Sequence, residues 1–71
     1  VALLALGGRL DLNTASEEDL AAVPGVGPAL ARALVQARTG SGGFGSWDAV
    51  DGVPGVGPAK LALLQAHTEI R

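Results

Sequence analysis

The seven residues Val23-Pro24-Gly25-Val26-Gly27-Pro28-Ala29 recur as Val53-Pro54-Gly55-Val56-Gly57-Pro58-Ala59, and no other feature restricts the fold so strongly. The residue before a proline is pushed out of the α region, whereas a proline is well tolerated at the first position of a helix. Each copy therefore closes one helix near its leading valine and opens the next at its second proline. Gly55 minus Gly25 and Gly57 minus Gly27 both give 30, and the same offset pairs Ser16 with Ser46. The chain reads as two copies of one unit, over about residues 13–38 and 46–68.

Each unit carries the marks of two short helices. Ser16 is placed to cap a helix whose first turn holds Glu17, Glu18 and Asp19, acids that favour the positive end of the helix dipole, and Leu20 and Val23 give it an apolar face. Ser46 repeats that start ahead of Trp47, Asp48, Ala49 and Val50, with Ala49 lacking the carboxylate that Asp19 could return, so its cap is expected to be the weaker. After Pro28 the residues Leu30, Ala31, Leu34 and Ala37 have helical period, and after Pro58 so do Leu61, Leu64 and Thr68. Thr39 to Ser46, TGSGGFGS, reads as the loop between units, pinned to the core by Phe44. Strand signals are missing. The expected fold class is all-α: two units, each of two helices joined by a hairpin, packed as one small four- to five-helix domain over residues 10–71, after an apolar segment or linker at residues 1–9.

A chain of 71 residues buries only ~60% of its unfolded surface, so the helices must share one core. Hydrophobic residues make up 48% and aromatics only 3%, so Ala, Leu and Val fill that core and backbones approach closely. There is no Cys, which excludes disulfides and thiolate chemistry, and the single His67 has no partner for a metal site or a triad. His67 is expected at the surface near a helix end. Glu17 and Glu18 diverge by ~100° as neighbours on a helix and read as first-turn acids, so no active site is read and the chain is not expected to be an enzyme. Trp47 and Phe44 are expected to be structural, and Asn13 and Thr14 to organise entry to the first helix by side-chain to backbone bonding. The opening VALLALGG is too short to span a bilayer; it reads equally as a remnant of something longer or as a segment packing on the domain.

The duplicated turn has the chemistry of an anion site. Proline at the second turn position and glycine at the third suit a type II turn in which Gly25 and Gly55 take positive φ. Pro24 and Pro28 carry no amide hydrogen, which leaves as donors the N–H groups of Gly25, Val26, Gly27, Ala29 and Leu30; the second copy offers Gly55, Val56, Gly57, Ala59 and Lys60. Donors grouped at a helix start beside glycines suit a phosphate oxygen. Two copies side by side suit the regular phosphates of a nucleic acid better than one small anion. The net charge of −2 is not that of a strongly basic binder, but Glu17, Glu18, Asp19, Asp48 and Asp51 fall on the first helix of each unit and Arg32, Arg38 and Lys60 on the second. Arg32 and Lys60 are the expected phosphate partners; Arg38 reads as an ordinary solvated residue.

Val23-Pro24-Gly25-Val26-Gly27-Pro28-Ala29-Leu30-Ala31 resembles the tandem helix-hairpin-helix motif, hydrophobic-x-G-hydrophobic-G-x-x-x-A. With LDLNTASEEDL at residues 10–20, Arg38, the GGF at residues 42–44 and the second hairpin, the chain after Arg9 is similar to the DNA-binding domain of ComEA-type competence proteins. That resemblance implies sequence-independent binding of double-stranded DNA at the minor-groove edge, mainly through phosphates. It further implies an extracytoplasmic receptor, periplasmic or at the cell surface, working with other DNA-uptake machinery and tethered to the membrane by a segment absent from this chain. Relatives of the motif can also hold a monovalent cation on hairpin carbonyls. Leu61 stands at the alanine position of the second motif, which predicts looser packing or a shifted register there, and Leu30 stands where relatives often carry a basic side chain. Two other readings stay open: a protein-interaction module, and an accessory DNA-binding domain of a cytoplasmic repair or recombination protein.

Overall fold

In a computed structural model, which describes residues 10–70, the elements follow in the order β1 (Leu10–Asp11), α1 (Glu17–Ala21), α2 (Gly27–Ser41), α3 (Trp47–Asp51), α4 (Pro58–His67) and β2 (Thr68–Glu69). The fold is all-α with a minimal strand pair. The expectation for VALLALGG concerns residues outside those described.

The repeat is visible in the hydrogen bonds. Ser16 Oγ accepts the Asp19 amide at 3.0 Å and Ser46 Oγ accepts the Ala49 amide at 3.4 Å, so the second cap is the longer one. Both short helices close alike, with Ala22 N–H donating to Glu18 O at 3.1 Å and Gly52 N–H to Asp48 O at 3.2 Å. The helices share one core in which Leu12, Leu20, Ala31, Leu34, Val50 and Leu64 are fully shielded and Phe44 is buried beside them. Trp47 is half-buried against the same core.

The units are not equally packed. Ala31 is fully buried and lets α1 lie close on α2, whereas Leu61, its counterpart, is half-buried and α3 packs more sparsely on α4. The two second helices also begin differently: α2 starts at Gly27, a residue before the expected Pro28, while α4 starts at Pro58 with Gly57 as its extended cap.

Several expectations need correction. Helix α2 runs through Thr39, Gly40 and Ser41 instead of yielding to a loop at Thr39, and ends at Gly42, whose φ of 78° makes it the residue that can leave the helix left-handed. Helix α4 stops at His67: Thr68 is its extended cap, buried, with its hydroxyl donating to Leu64 O. From there the tail pairs in parallel with the segment ahead of α1, Leu10 with Thr68 and Asp11 with Glu69, although no strand was expected. Leu12 N–H extends that pairing to Glu69 O at 2.9 Å.

Asp11 takes a leading part in the entry to α1. Asp11 Oδ1 accepts the Asn13 amide at 2.9 Å, and its carbonyl accepts the Thr14 and Ala15 amides at 3.1 and 2.8 Å. The Asn13 side chain crosses to the inter-unit loop, where Nδ2 donates to Phe44 O at 2.9 Å and Oδ1 accepts Phe44 N–H at 2.6 Å. Arg38 is likewise no solvated bystander: Nη1 donates to Leu12 O at 3.0 Å and to Ala15 O at 2.6 Å, tying α2 to the segment that precedes α1.

Candidate nucleic-acid interface

Each hairpin is a tight turn closed by its own backbone. Val26 N–H donates to Val23 O and Val56 N–H to Val53 O, both at 3.0 Å, and the glycines between take φ of 87° at Gly25 and 96° at Gly55. Positive φ is the type II geometry that proline-glycine favours. The turn bonds engage the amides of Val26 and Val56, and both valine side chains are buried, so these two residues leave the donor set expected from sequence. They anchor the hairpins from below.

Besides the amides of Gly25 and Gly55 within the bends, the donors that remain are those at helix starts. Counting from its cap Val26, α2 leaves Gly27 and Ala29 without an intrahelical acceptor, since Pro28 has no N–H and Leu30 is the first residue able to reach the cap carbonyl. In α4 the first helical bond runs from Leu61 N–H to Gly57 O at 2.8 Å, which leaves Ala59 and Lys60 as open first-turn donors. Ala29 and Ala59 are exposed, as are Pro24, Gly25, Pro54 and Gly55; Gly27 and Gly57 are half-buried. The second glycines differ despite identical surroundings in sequence, Gly27 having a φ of 73° and Gly57 one of −111°.

The hairpins lie next to each other, each against the second helix of the other unit. Lys60 Nζ, on α4, donates to Gly25 O at 2.5 Å. Its 30-residue counterpart Leu30, on α2, sits against Gly55, with Leu30 Cδ1 3.6 Å from where a Cβ on that glycine would be. Leu63 of α4 lies over Gly25 more closely still, 2.7 Å from a Cβ built there. These reciprocal contacts bring each bend against the second helix of the opposite unit. Sequence patterns do not reveal the contacts because they join residues of different units.

The cations divide by environment. Arg32 is exposed, with Nε 3.9 Å from Glu17 Oε2 across the α1–α2 pair. Lys60 is half-buried at the hairpin seam, and Arg38 is spent on carbonyls at the other end of α2. His67 is exposed at the end of α4. Among the described residues no group of His, Asp or Glu gathers as a metal-ligand set. The Gly25 carbonyl, a ligand that a hairpin-bound monovalent cation would use, already accepts the Lys60 ammonium, so the first hairpin fits such an ion poorly.

Comparison with known proteins agrees with this geometry. A family model described as helix-hairpin-helix motif matches residues 7–69. The chain is 47% identical over 53 residues to the protein named endonuclease/exonuclease/phosphatase family domain-containing protein 1 in Mus musculus and in Homo sapiens, a match covering 75% of this chain and 9% of each relative. The protein of that name in Danio rerio is 40% identical over 57 residues, covering 80% of this chain and 10% of the relative. The chain thus spans about a tenth of the length of these curated relatives.

Proposed function

Starting from the fact that the chain belongs to the helix-hairpin-helix family, we propose that it binds double-stranded DNA without sequence preference, through phosphate contacts from its two hairpins. The observation that carries this reading is the pairing of the hairpins, with Lys60 of one unit on the Gly25 carbonyl of the other and exposed amide-bearing residues on both. Paired donor clusters at adjacent helix starts match phosphate oxygens on either side of a groove. The contact set is Gly25, Gly27, Ala29 and Arg32 from the first unit and Gly55, Gly57, Ala59 and Lys60 from the second. No cation is required at the first hairpin, where the ammonium already serves the carbonyl.

Affinity that comes from phosphates falls linearly with salt on logarithmic axes, with a slope of ~0.9 per phosphate neutralised in duplex DNA. Titration of the domain with random duplexes over a salt series tests the reading. A steep salt dependence shared by unrelated sequences supports it; absence of binding, or strong preference among sequences at equal salt, overturns it.

The biological setting of that binding is a separate matter. An extracytoplasmic receptor for DNA uptake rests on the sequence likeness to competence proteins alone. The name carried by the vertebrate relatives favours instead a DNA-holding module that accompanies a domain of the endonuclease/exonuclease/phosphatase type. In that setting the module binds and a neighbouring domain would act. Binding of full-length protein and of the isolated module to the same duplex, with cleavage followed only in the former, tests that division of labour.

A further inference from the structure

The two hairpins have the same seven letters but unequal surroundings, and one pair of residues makes them unequal in charge. By the 30-residue offset Lys60 corresponds to Leu30, and each reaches across to the first glycine of the opposite hairpin. Of this pair, Lys60 brings an ammonium to Gly25, where Leu63 also packs, and Leu30 brings a methyl group to Gly55. We infer that Lys60, although carried by the second unit, belongs to the phosphate site of the first hairpin, and that this hairpin is the stronger of the two. The inference rests on the DNA-binding reading given above.

The physical argument is one of positioning and charge. A lysine ammonium has three protons, and a lysine on an open helix face loses much rotamer freedom when it is drawn to an anion. Here one proton is engaged by the Gly25 carbonyl, which holds the charge at the bend with two protons left for other acceptors. The flexible side chain is thus already fixed before DNA arrives, so less ordering accompanies contact. The carbonyl's negative end is also neutralised, so it does not repel an approaching phosphate. The second hairpin has neither benefit: Leu30 is buried against Gly55 and brings no charge, and the carbonyls of that bend meet the phosphate unshielded by it. A lysine does not distribute itself this way by sequence proximity, because position 60 lies in the first turn of α4, beside the second hairpin.

The test is residue-resolved NMR titration of the domain with a random duplex, for wild type, Lys60→Met and Leu30→Lys, with helicity checked for each variant. Methionine keeps the length and apolar stem of Lys60 while removing the ammonium. Lys60→Met is expected to weaken binding about fivefold, the effect of a partly exposed charge contact, to lower the salt slope by ~0.9, and to shrink the DNA-induced shifts of the Gly25 and Gly27 amides more than those of Gly55 and Gly57. Lys60→Arg, which restores a donor and a charge, is expected to recover most of the loss. Leu30→Lys places an ammonium at the corresponding spot by Gly55 and is expected to raise both affinity and slope. A Lys60→Met variant whose losses centre on Gly55 and Gly57 would return Lys60 to its own hairpin, and one that loses stability but keeps affinity and slope would reduce it to a structural tether. Either result overturns the inference while leaving DNA binding intact. Wild type that fails to bind any duplex removes the function and the inference together.

Discussion

Leu63 lies over Gly25 so closely that a Cβ there would stand 2.7 Å from Leu63 Cδ2, while the same atom on Gly55 would stand 3.6 Å from Leu30 Cδ1. Both glycines have positive φ, so alanine at either position is expected to cost about 1–2 kcal/mol from the left-handed backbone alone. At Gly25 the Leu63 side chain must also move off its place, adding about 0.5–1.5 kcal/mol if it leaves its rotamer. Urea denaturation of Gly25→Ala and Gly55→Ala is therefore expected to show the larger loss at Gly25. Equal losses would mean that Leu63 yields freely and that the seam between the units is softer than described.

What could be read from sequence, and what could not, divides along the distance between partners. Pro24-Gly25 and Pro54-Gly55 carry their turn in adjacent letters, Ser16 and Ser46 announce caps three residues from their donors, and Phe44 sinks into the core as its isolation among glycines implied. The interactions between residues far apart in the chain leave no local trace. Lys60 and Gly25 are 35 residues apart, Arg38 and Leu12 are 26 apart, and Asn13 and Phe44 are 31 apart; each is a side chain meeting a backbone group that only the folded chain brings near. The strand pair is too short for an alternating pattern, and two glycines, Gly40 and Gly42, could equally end the helix by their letters, although only Gly42 does. Gly27 and Gly57 show the same limit from the other side, since equal letters adopt different backbones under different neighbours.

Arg38 should matter to stability and not to binding. Its guanidinium serves two carbonyls, Leu12 O and Ala15 O, in a half-buried setting. Charge-assisted bonds of this kind contribute about 1.5–3 kcal/mol, and removing the donor strands both acceptors. Arg38→Met, which preserves the stem, is expected to lower the unfolding free energy by about 2 kcal/mol while the salt slope for duplex DNA stays where it was. A lower slope in this variant would place Arg38 on a phosphate.

The Asn13 side chain meets Phe44 as another strand would, donating to its carbonyl and accepting from its amide. Asn13→Asp keeps the acceptor, loses the donor and sets a carboxylate beside the Phe44 carbonyl; Asn13→Ala loses both bonds. Each is expected to cost about 1–2 kcal/mol, measured by thermal unfolding. Protonation restores a donor to the aspartate, so the deficit of Asn13→Asp should shrink as pH falls through the carboxylate range and that of Asn13→Ala should not. An Asn13→Asp protein as stable as wild type at neutral pH would show the donor half of the pair to be dispensable.

Arg32 and Glu17 form the pair on which the balance between charge and binding turns. Their atoms lie 3.9 Å apart, with side chains 69% and 43% exposed, so the contact contributes at most a few tenths of a kcal/mol to the fold. For DNA the same pair has opposite consequences on its two sides. Arg32→Ala is expected to lower the salt slope by ~0.9 if the guanidinium neutralises one phosphate, with little change in thermal stability. Glu17→Gln removes a carboxylate that competes with that phosphate, and is expected to tighten binding without raising the number of phosphates met, so the line of affinity against salt should shift upward with its slope nearly unchanged. Glu17 also stands in the first turn of α1, where its charge complements the helix dipole, so a loss of up to about 0.5 kcal/mol in stability should accompany the gain. Tighter binding in a slightly less stable protein is the signature that separates competition for Arg32 from a general improvement of the fold, and weaker binding in Glu17→Gln would take Arg32 out of the interface.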